Sequence, residues 1–430
     1  MNGSQLLRAL ADRAGRPFGV HLQVADRCNH ACGHCYQVQG EKGELDLDAL
    51  RGIIDGIAEA GVLTLNVSGG EATLRPDLPA VLRHARSRGM AVRLYTNAFL
   101  VDRAYAAELA SIGLLEVHVS VYSAAPTEHD AVTKVPGSFV RTVDGVRAMR
   151  AHGMRVVLKT PATRLSVGGS AGVADLAAEL GCTHHPSNDL TAREDGSTEP
   201  WDLRVSPEEL LRHGRLTPWA PADDEGERRR EKLAVSPCGV GRSGLVVLPD
   251  GRLQPCTDTP RTAADLTQTP LAEALRSPEL RLFEGLDWSK VHGCRDCDLL
   301  SACHRCHATA LHERGDYLGP YAAACARAAA RYAASVGPLE VLAPAEGVGP
   351  GRDPSVGPFA IVRRGVIQPV ADVRTAADEA LAAAFPWIRG SSVDVAAPSA
   401  LVPLRRGASG GALAMAPPGR AGVQPPDGPC

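Results

Sequence analysis

Cys28-Asn29-His30-Ala31-Cys32-Gly33-His34-Cys35-Tyr36 places three cysteines at C-x3-C-x2-C spacing and ends on an aromatic residue. A loop this short can fold over a cubic iron–sulfur cluster and give one thiolate to each of three irons. The fourth iron then has no protein ligand, whereas clusters that only carry electrons are usually closed by a fourth cysteine. An open iron is a place for chemistry. Directly upstream, Gly19-Val20-His21-Leu22-Gln23-Val24 reads as a strand that runs into the loop.

Outward from that strand, the chain to about residue 185 alternates strand and helix patterns. Leu45 to Ala60, Leu78 to Arg88, Val101 to Ser111, Phe139 to His152 and Ala171 to Leu180 carry apolar residues at helical spacing. Gly89 stops the second of these helices. The short apolar runs Val62–Val67, Ala91–Tyr95, Leu115–Val121 and Met154–Lys159 read as strands between them. Repeated β-α units with β-branched strands predict parallel pairing and right-handed crossovers. An open or closed α/β barrel fits. Reactive groups in such barrels gather at the C-terminal ends of the strands, where the cysteine loop falls.

A second signal lies one β-α unit further on. Gly69-Gly70-Glu71 follows the strand ending at Val67. Glycines there let the backbone approach a ligand, and a carboxylate with carbonyl oxygens can receive the three donors of an ammonium group. Together the loop and this run resemble the radical S-adenosylmethionine (radical SAM) family. The resemblance implies a [4Fe-4S] cluster on Cys28, Cys32 and Cys35, with SAM on its open iron. Gly69, Gly70 and Glu71 would contact the amino group of SAM, and Tyr36 would lie near its adenine. One electron would cleave the sulfonium, and the 5′-deoxyadenosyl radical would abstract a substrate hydrogen. Thr96-Asn97-Ala98 resembles the family's Thr-Asn-Gly, with Ala98 as a departure. Asn97 and Ser120, at the ends of the third and fourth strands, are further SAM-contacting candidates. The stretch from Glu128-His129-Asp130 through Pro136-Gly137-Ser138-Phe139 also looks like the family. Lys159 is a weaker candidate contact, and the same resemblance leaves the catalytic residues unassigned.

Seven more cysteines lie between Cys238 and Cys325. Cys238 is followed by twelve residues, Gly251, four residues and Cys256; then come Cys294-x2-Cys297-x5-Cys303-x2-Cys306 and Cys325. Leu245-Val246-Val247-Leu248 and Arg252-Leu253-Gln254 flank Pro249-Asp250-Gly251, a hairpin that returns Cys256 towards Cys238. Paired C-x2-C units alone fit structural zinc as well as iron. Beside the N-terminal loop they read as iron–sulfur sites. The arrangement resembles the SPASM domain, which carries one or two auxiliary [4Fe-4S] clusters. The resemblance assigns Cys294, Cys297, Cys303 and Cys325 to one cluster, and Cys238, Cys256 and Cys306 to the other. The second set lacks a fourth ligand: the site is open or uses a non-cysteine group. The two-residue gap before Cys306, where three is commoner, is another departure. His292, His304, His307 and His312 are not assigned as ligands.

The 430-residue chain is too long for one ordinary domain. The expected class is α/β: a partial (β/α)6 TIM-like barrel over residues 15–220, a small cysteine-rich SPASM domain over 221–335, and an Ala/Gly/Pro-rich extension over 336–430. The extension is expected to be irregular and disordered after 405, with a possible strand at Phe359–Arg363 and a possible helix at Ala376–Phe385 capped by Thr375. From Glu194 to Lys232 the chain reads as a polar bridge with a helix near Pro207–His213, and Arg228-Arg229-Arg230 as a solvated face. Net charge is −3, with no basic block, so neither nucleic acid nor an anionic membrane surface is an expected partner. No signal-peptide core or membrane span is legible, and the cytoplasm is the expected location. Of the twelve cysteines, ten read as metal ligands, not disulfides, and Cys182 and Cys430 are left as plain thiols.

The expected activity is that of a radical SAM oxidoreductase. It would abstract hydrogen from a peptide or protein residue and mature a ribosomally synthesised peptide by crosslinking, oxidation or epimerisation. A flavodoxin- or ferredoxin-type reductant is the implied electron donor. Fewer than twenty residues precede the first strand, too few for a winged-helix leader-recognition module, so a separate leader-peptide recognition protein is a possible partner. Two alternatives stand beside this reading. A sulfatase-maturing formylglycine enzyme is ranked lower because that group generally has an aspartate directly after the cysteine matching Cys256; here Thr257 intervenes before Asp258. A non-catalytic iron–sulfur redox protein is disfavoured by the open-iron loop.

Overall fold

The computed structural model describes residues 6–7, 10–11, 16–40, 42–259 and 261–336, with 360–363 and 366–369 as backbone. Strands and helices alternate as the apolar pattern predicts. In order they are β1 (Gly19–Ala25), α1 (Leu47–Glu59), β2 (Thr64–Gly69), α2 (Leu78–Ser87), β3 (Ala91–Thr96), α3 (Arg103–Ile112) and β4 (Glu116–Ser120). Next come α4 (Pro126–Thr133), α5 (Ser138–Ala151), β5 (Val156–Pro161), α6 (Gly172–Glu179) and β6 (Thr183–Ser187). The helix α1 illustrates why. Asp46 accepts from the Ala49 N–H at 2.8 Å and caps the first turn. Leu50, Ile53, Ile54 and Ile57 then fall on one face and are buried, each worth about 1.5–3 kcal/mol of burial. They pack against the outward row of the strands, including Val20, Leu22, Leu65, Val67, Val92 and Leu94.

The strands β1 to β6 pair in parallel, in spatial order β6-β5-β4-β3-β2-β1, and the sheet does not close on itself. This is the expected partial barrel. Two elements were not legible. The α4 helix has little apolar periodicity. The β6 sequence, Thr-His-His-Pro-Ser, has no apolar run; pairing with β5 alone makes it a strand, and a proline is tolerated at such an edge.

On the other side of β1 the sheet continues. The predicted hairpin forms β7 (Leu245–Val247) and β8 (Arg252–Gln254), followed by β9 (Ala264–Asp265). The strand β7 pairs in parallel with β1, His21 opposite Val246. The barrel strands and the cysteine-rich region therefore share one sheet.

The bridge folds more than its composition suggested. The helix α7 (Pro207–Arg212) begins with a Ser206–Glu209 capping box. A second helix, α8 (Glu225–Leu233), carries the three arginines, and only Arg230 of them is exposed. Arg229 donates to the carbonyls of Cys297, at 2.7 Å, and Arg295. Arg228 donates to the Ala220 carbonyl and lies over the Trp219 ring. The solvated-face reading is corrected here: the irregular backbone between cysteines leaves carbonyls that need donors, and α8 supplies them. The chain continues through α9 (Leu271–Ala274), α10 (Pro278–Arg281), α11 (His307–Arg314) and α12 (Ala322–Val336). Ala360–Arg363 and Val366–Pro369 pair as an antiparallel hairpin. The helix expected at 376–385, with its cap Thr375, residues 405–430 and Cys430 lie outside the described residues. Among the described residues no helix is long and apolar enough to cross a membrane.

Candidate functional site

The loop leaves β1 at its C-terminal end and is clamped by charge. Lys42, 8% exposed, reaches Asp26 at 2.8 Å and Glu194 at 2.6 Å. Glu194 also accepts from the Val38 N–H at 2.7 Å, and its own N–H donates to the Tyr36 carbonyl at 2.9 Å. Two carboxylates and one ammonium so placed pin both ends of the loop without leaving the cation unpaired. Inside the loop, the Cys35 N–H donates to the Cys32 carbonyl, and the His30 N–H points at Cys28 Sγ, 3.4 Å away. The Tyr122 hydroxyl lies 3.8 Å from Cys32 Sγ, and Gln23 donates to the Tyr36 hydroxyl at 3.1 Å.

Gly69 and Gly70 do something more specific than admit a ligand. A Cβ on Gly69, whose φ is +151°, would sit 2.4 Å from the Ala25 carbonyl oxygen; one on Gly70 would sit 2.3 Å from that of Arg27. Their absent side chains let the end of β2 press against the start of the cysteine loop. Glu71 is almost fully buried. Its Oε1 accepts from the Thr73 N–H (3.0 Å) and hydroxyl (2.7 Å) and from the Thr96 hydroxyl (2.6 Å); Oε2 accepts from the Asn97 N–H at 2.6 Å. Burial pushes its carboxyl up, and these donors pull it back. The carboxylate thus fastens the ends of β2 and β3 together. Asn97 in turn reaches Asn29, beside Cys28, at 2.7 Å.

Polar side chains run across the strands on the face away from the helices. His21 bonds Ser68 and packs on Tyr95, which packs on His118; Ser120 is within hydrogen-bond reach of the Tyr122 hydroxyl. Lys159 and His185 meet at 2.7 Å, and burial lowers both. Burial also holds His21 neutral, down at about 4.

Cys28, Cys32 and Cys35 are free and partly buried. Burial, then the charges of Glu71 and Cys35, push Cys28 up to about 11; burial, then the Cys35 and Cys28 thiolates, push Cys32 up to about 12. Three crowded, buried thiols of this kind ionise only with a strong positive partner, which iron provides. Gln23 Oε1, Asn29 Nδ2, His34 Nδ1 and Asn66 Oδ1 are buried without partners around the loop and the β1–β2 ends. Such orphans mark room for a polar ligand. The residues fit a cluster and a bound polar cofactor.

The later cysteines fall into two neighbourhoods. Cys294, Cys297 and Cys303 raise Cys325, after burial has already done so. Cys306 acts on Cys256, and Cys238 acts on Cys306. Lys232 donates to the Cys303 carbonyl at 2.5 Å, so the first neighbourhood is bordered by Lys232 and Arg229. The second contains a carboxylate, Asp258, 3.9 Å from Cys306 Sγ, which burial pushes up to about 6. Among the described residues no three His, Cys, Asp or Glu side chains converge as a single chelated ion requires; a cube spreads its thiolates over separate irons. The histidines are engaged elsewhere: His292 with Asp316 at 2.7 Å, His304 with Arg331, His307 with the Tyr317 carbonyl and His312 with the Asp258 carbonyl. Cys182 packs against the barrel core.

Sequence reasoning missed Asn29, Tyr122, the Asp26–Lys42–Glu194 clamp and the bearing of Asp258 on its cysteine set. Asp26 stands two residues before the loop, a signal that was available; nothing local marks Lys42 or Glu194.

The comparisons with known proteins agree with this construction. The Radical SAM superfamily matches residues 22–165, and the SPASM iron-sulfur cluster-binding domain matches residues 238–298. The chain is thus a radical SAM enzyme with a SPASM domain, and it uses SAM, a [4Fe-4S] cluster and auxiliary iron–sulfur clusters. It is 27% identical over 344 residues to the PqqA peptide cyclase of Streptomyces rochei, covering 71% of this chain and 89% of that protein. It is 26% identical over 331 residues to the AdoMet-dependent heme synthase of Methanosarcina barkeri, covering 70% and 94%. The crystal structure of Streptococcus suis SuiB bound to S-adenosylmethionine shares the fold at TM-score 0.56 and 15% identity, covering 75% of this chain and 80% of SuiB.

Proposed function

We propose that the chain matures a ribosomally synthesised peptide, abstracting a hydrogen from one residue so that a crosslink, oxidation or epimerisation follows. Cys28, Cys32 and Cys35 would hold the SAM-binding cluster, with Tyr36, Gly69, Gly70, Glu71, Asn97 and Ser120 around SAM. When bound, these groups supply the electron that cleaves SAM and the carbon radical that takes the hydrogen. The protein's residues do the positioning. The Lys42 clamp fixes the loop, Glu71 and Asn97 fix the strand ends beside it, and the polar face of the strands receives the substrate.

The observation that carries the reading is the pairing of β7 with β1. It puts the sequence that leads into the auxiliary cysteines beside the strand that delivers the SAM-site loop. Cys238 and Cys256, which flank β7 and β8, would hold an auxiliary centre that would supply an acceptor for the electron left after a bond forms. The kinship to a PqqA peptide cyclase supports a peptide substrate. We divide the chain into a barrel (15–220), a SPASM domain (221–335) and an extension (336–430). The reading also calls for a reducing cytoplasm, a flavodoxin- or ferredoxin-type donor and a separate leader-peptide recognition protein.

Anaerobic incubation with SAM, dithionite and the peptide encoded by the neighbouring short reading frame tests the proposal. 5′-Deoxyadenosine and a peptide mass change are expected. SAM cleavage with no peptide change, and a changed tetrapyrrole instead, would move the chain towards the heme-synthase side of its relatives. No deoxyadenosine at all would end the reading.

A further inference from the structure

Cys238, Cys256 and Cys306 offer three thiolates, one short of a closed cube. Asp258, two residues after Cys256, carries its Oδ2 to 3.9 Å from Cys306 Sγ, and its charge also acts on Cys256. The carboxylate is held in place by hydroxyls of Thr191 and Thr257, and the backbone carbonyl by His312 Nε2 at 3.1 Å. Other polar groups around the set are tied to partners of their own. The Thr259 hydroxyl bonds Cys256 Sγ at 3.0 Å, and the Tyr321 hydroxyl accepts from the Cys306 N–H at 2.9 Å. His307 Nε2 is buried without a hydrogen-bond partner, so it bonds none of the three sulfurs, and its ring is fixed through Nδ1 on the Tyr317 carbonyl at 2.8 Å.

We propose that Asp258 supplies the fourth ligand, an oxygen, to the cluster held by Cys238, Cys256 and Cys306. This rests on the reading that those three thiolates bind a cluster. A carboxylate is anionic like the thiolate it replaces, so the centre keeps its net charge while one iron takes a harder donor. The centre is then closed against substrate and SAM, and the N-terminal loop alone keeps a vacant iron.

The test is made on the full chain with Cys28, Cys32 and Cys35 all changed to alanine, purified anaerobically, so that only auxiliary iron is seen. An iron without a protein ligand is lost on brief oxidation, leaving a three-iron cluster with its own EPR signal. With Asp258 intact that signal is expected to be absent; in D258A it should rise to about one spin per chain. D258C should keep full iron, show no three-iron signal and give changed g-values in the reduced state. D258N guards against a folding defect and should behave as D258A with unchanged circular dichroism. Equal spectra and iron content in the parent, D258A and D258N would overturn the proposal, as would a three-iron signal that appears in H307A and not in D258A. If the parent binds no auxiliary iron and sulfide, the underlying cluster reading fails instead.

Discussion

The side-chain amide of Asn97, at the end of β3, donates to the side-chain carbonyl of Asn29, the residue after Cys28, at 2.7 Å. The same residue gives its N–H to Glu71 at 2.6 Å. Glu71, Asn97 and Asn29 therefore form one continuous tie from β2, through β3, to the first cysteine. N97A should leave the N-terminal cluster's iron in place and weaken SAM binding about tenfold, the equivalent of 1.4 kcal/mol. An anaerobic SAM titration followed by the EPR change of the reduced cluster reads this directly. An unaltered dissociation constant would mean the tie is structural only.

Gly70 faces the Arg27 carbonyl with no room for a methyl group. G70A should force the loop away from β2 at a cost of about 1–3 kcal/mol. The expected readout is loss of one cluster's iron with the auxiliary iron unchanged.

Ala98 sits at φ +59°, where a side chain is strained. Its carbonyl is approached closely by α5, where Gly145 leaves space. A98G removes the steric cost of the left-handed conformation and adds flexibility to the unfolded chain. The net gain should be about 0.5–1 kcal/mol, seen as a higher urea midpoint at equal slope.

Asp130 accepts from the Gly137 N–H (2.6 Å), the Ser138 hydroxyl (2.8 Å) and the Phe139 N–H (2.9 Å), closing the first turn of α5. Burial alone would raise its pKa, yet these donors hold it below the usual carboxylate range. Its contribution is therefore complete above the unfolded value near pH 4 and fades as pH falls through the folded value. D130N should cost about 1 kcal/mol at pH 7, and the difference from wild type should shrink at pH 3. Urea midpoints at both pH values check it; a pH-independent difference would refute the role.

Lys232 donates to the Cys303 carbonyl and lies 5.1 Å from the Trp288 ring centroid. Burial lowers its pKa, while the neighbouring Cys303 thiolate works in the opposite direction. K232M keeps the stem and removes the charge. The potential of the centre we propose on Cys294, Cys297, Cys303 and Cys325 should fall by about 60 mV, a tenfold change in a one-electron equilibrium. Spectroelectrochemistry of the auxiliary signals measures it, and an unmoved potential would place the charge too far away to matter.

The first loop, the Gly-Gly-Glu run and most of the barrel were legible because each is local. Cysteine spacing is set within nine residues, and apolar periods of two and 3.6 follow from strand and helix geometry. The strand β6 was not legible, since only its neighbour β5 makes it a strand. The Arg229 contacts with the Cys297 and Arg295 carbonyls were not legible either, because the partners lie more than sixty residues apart in sequence.

The chain by itself determined the chemistry on offer: the stretch from Gly19 to Tyr36 fixes three thiols in one loop and places them at a strand end. Tertiary structure decided what surrounds them. It turned Glu71 inward to serve four donors, set Lys42 between Asp26 and Glu194, laid β7 along β1 and brought Asp258 to Cys306. Those choices depend on which distant backbone groups and charges are left without partners once the core has packed, and a linear pattern does not record that.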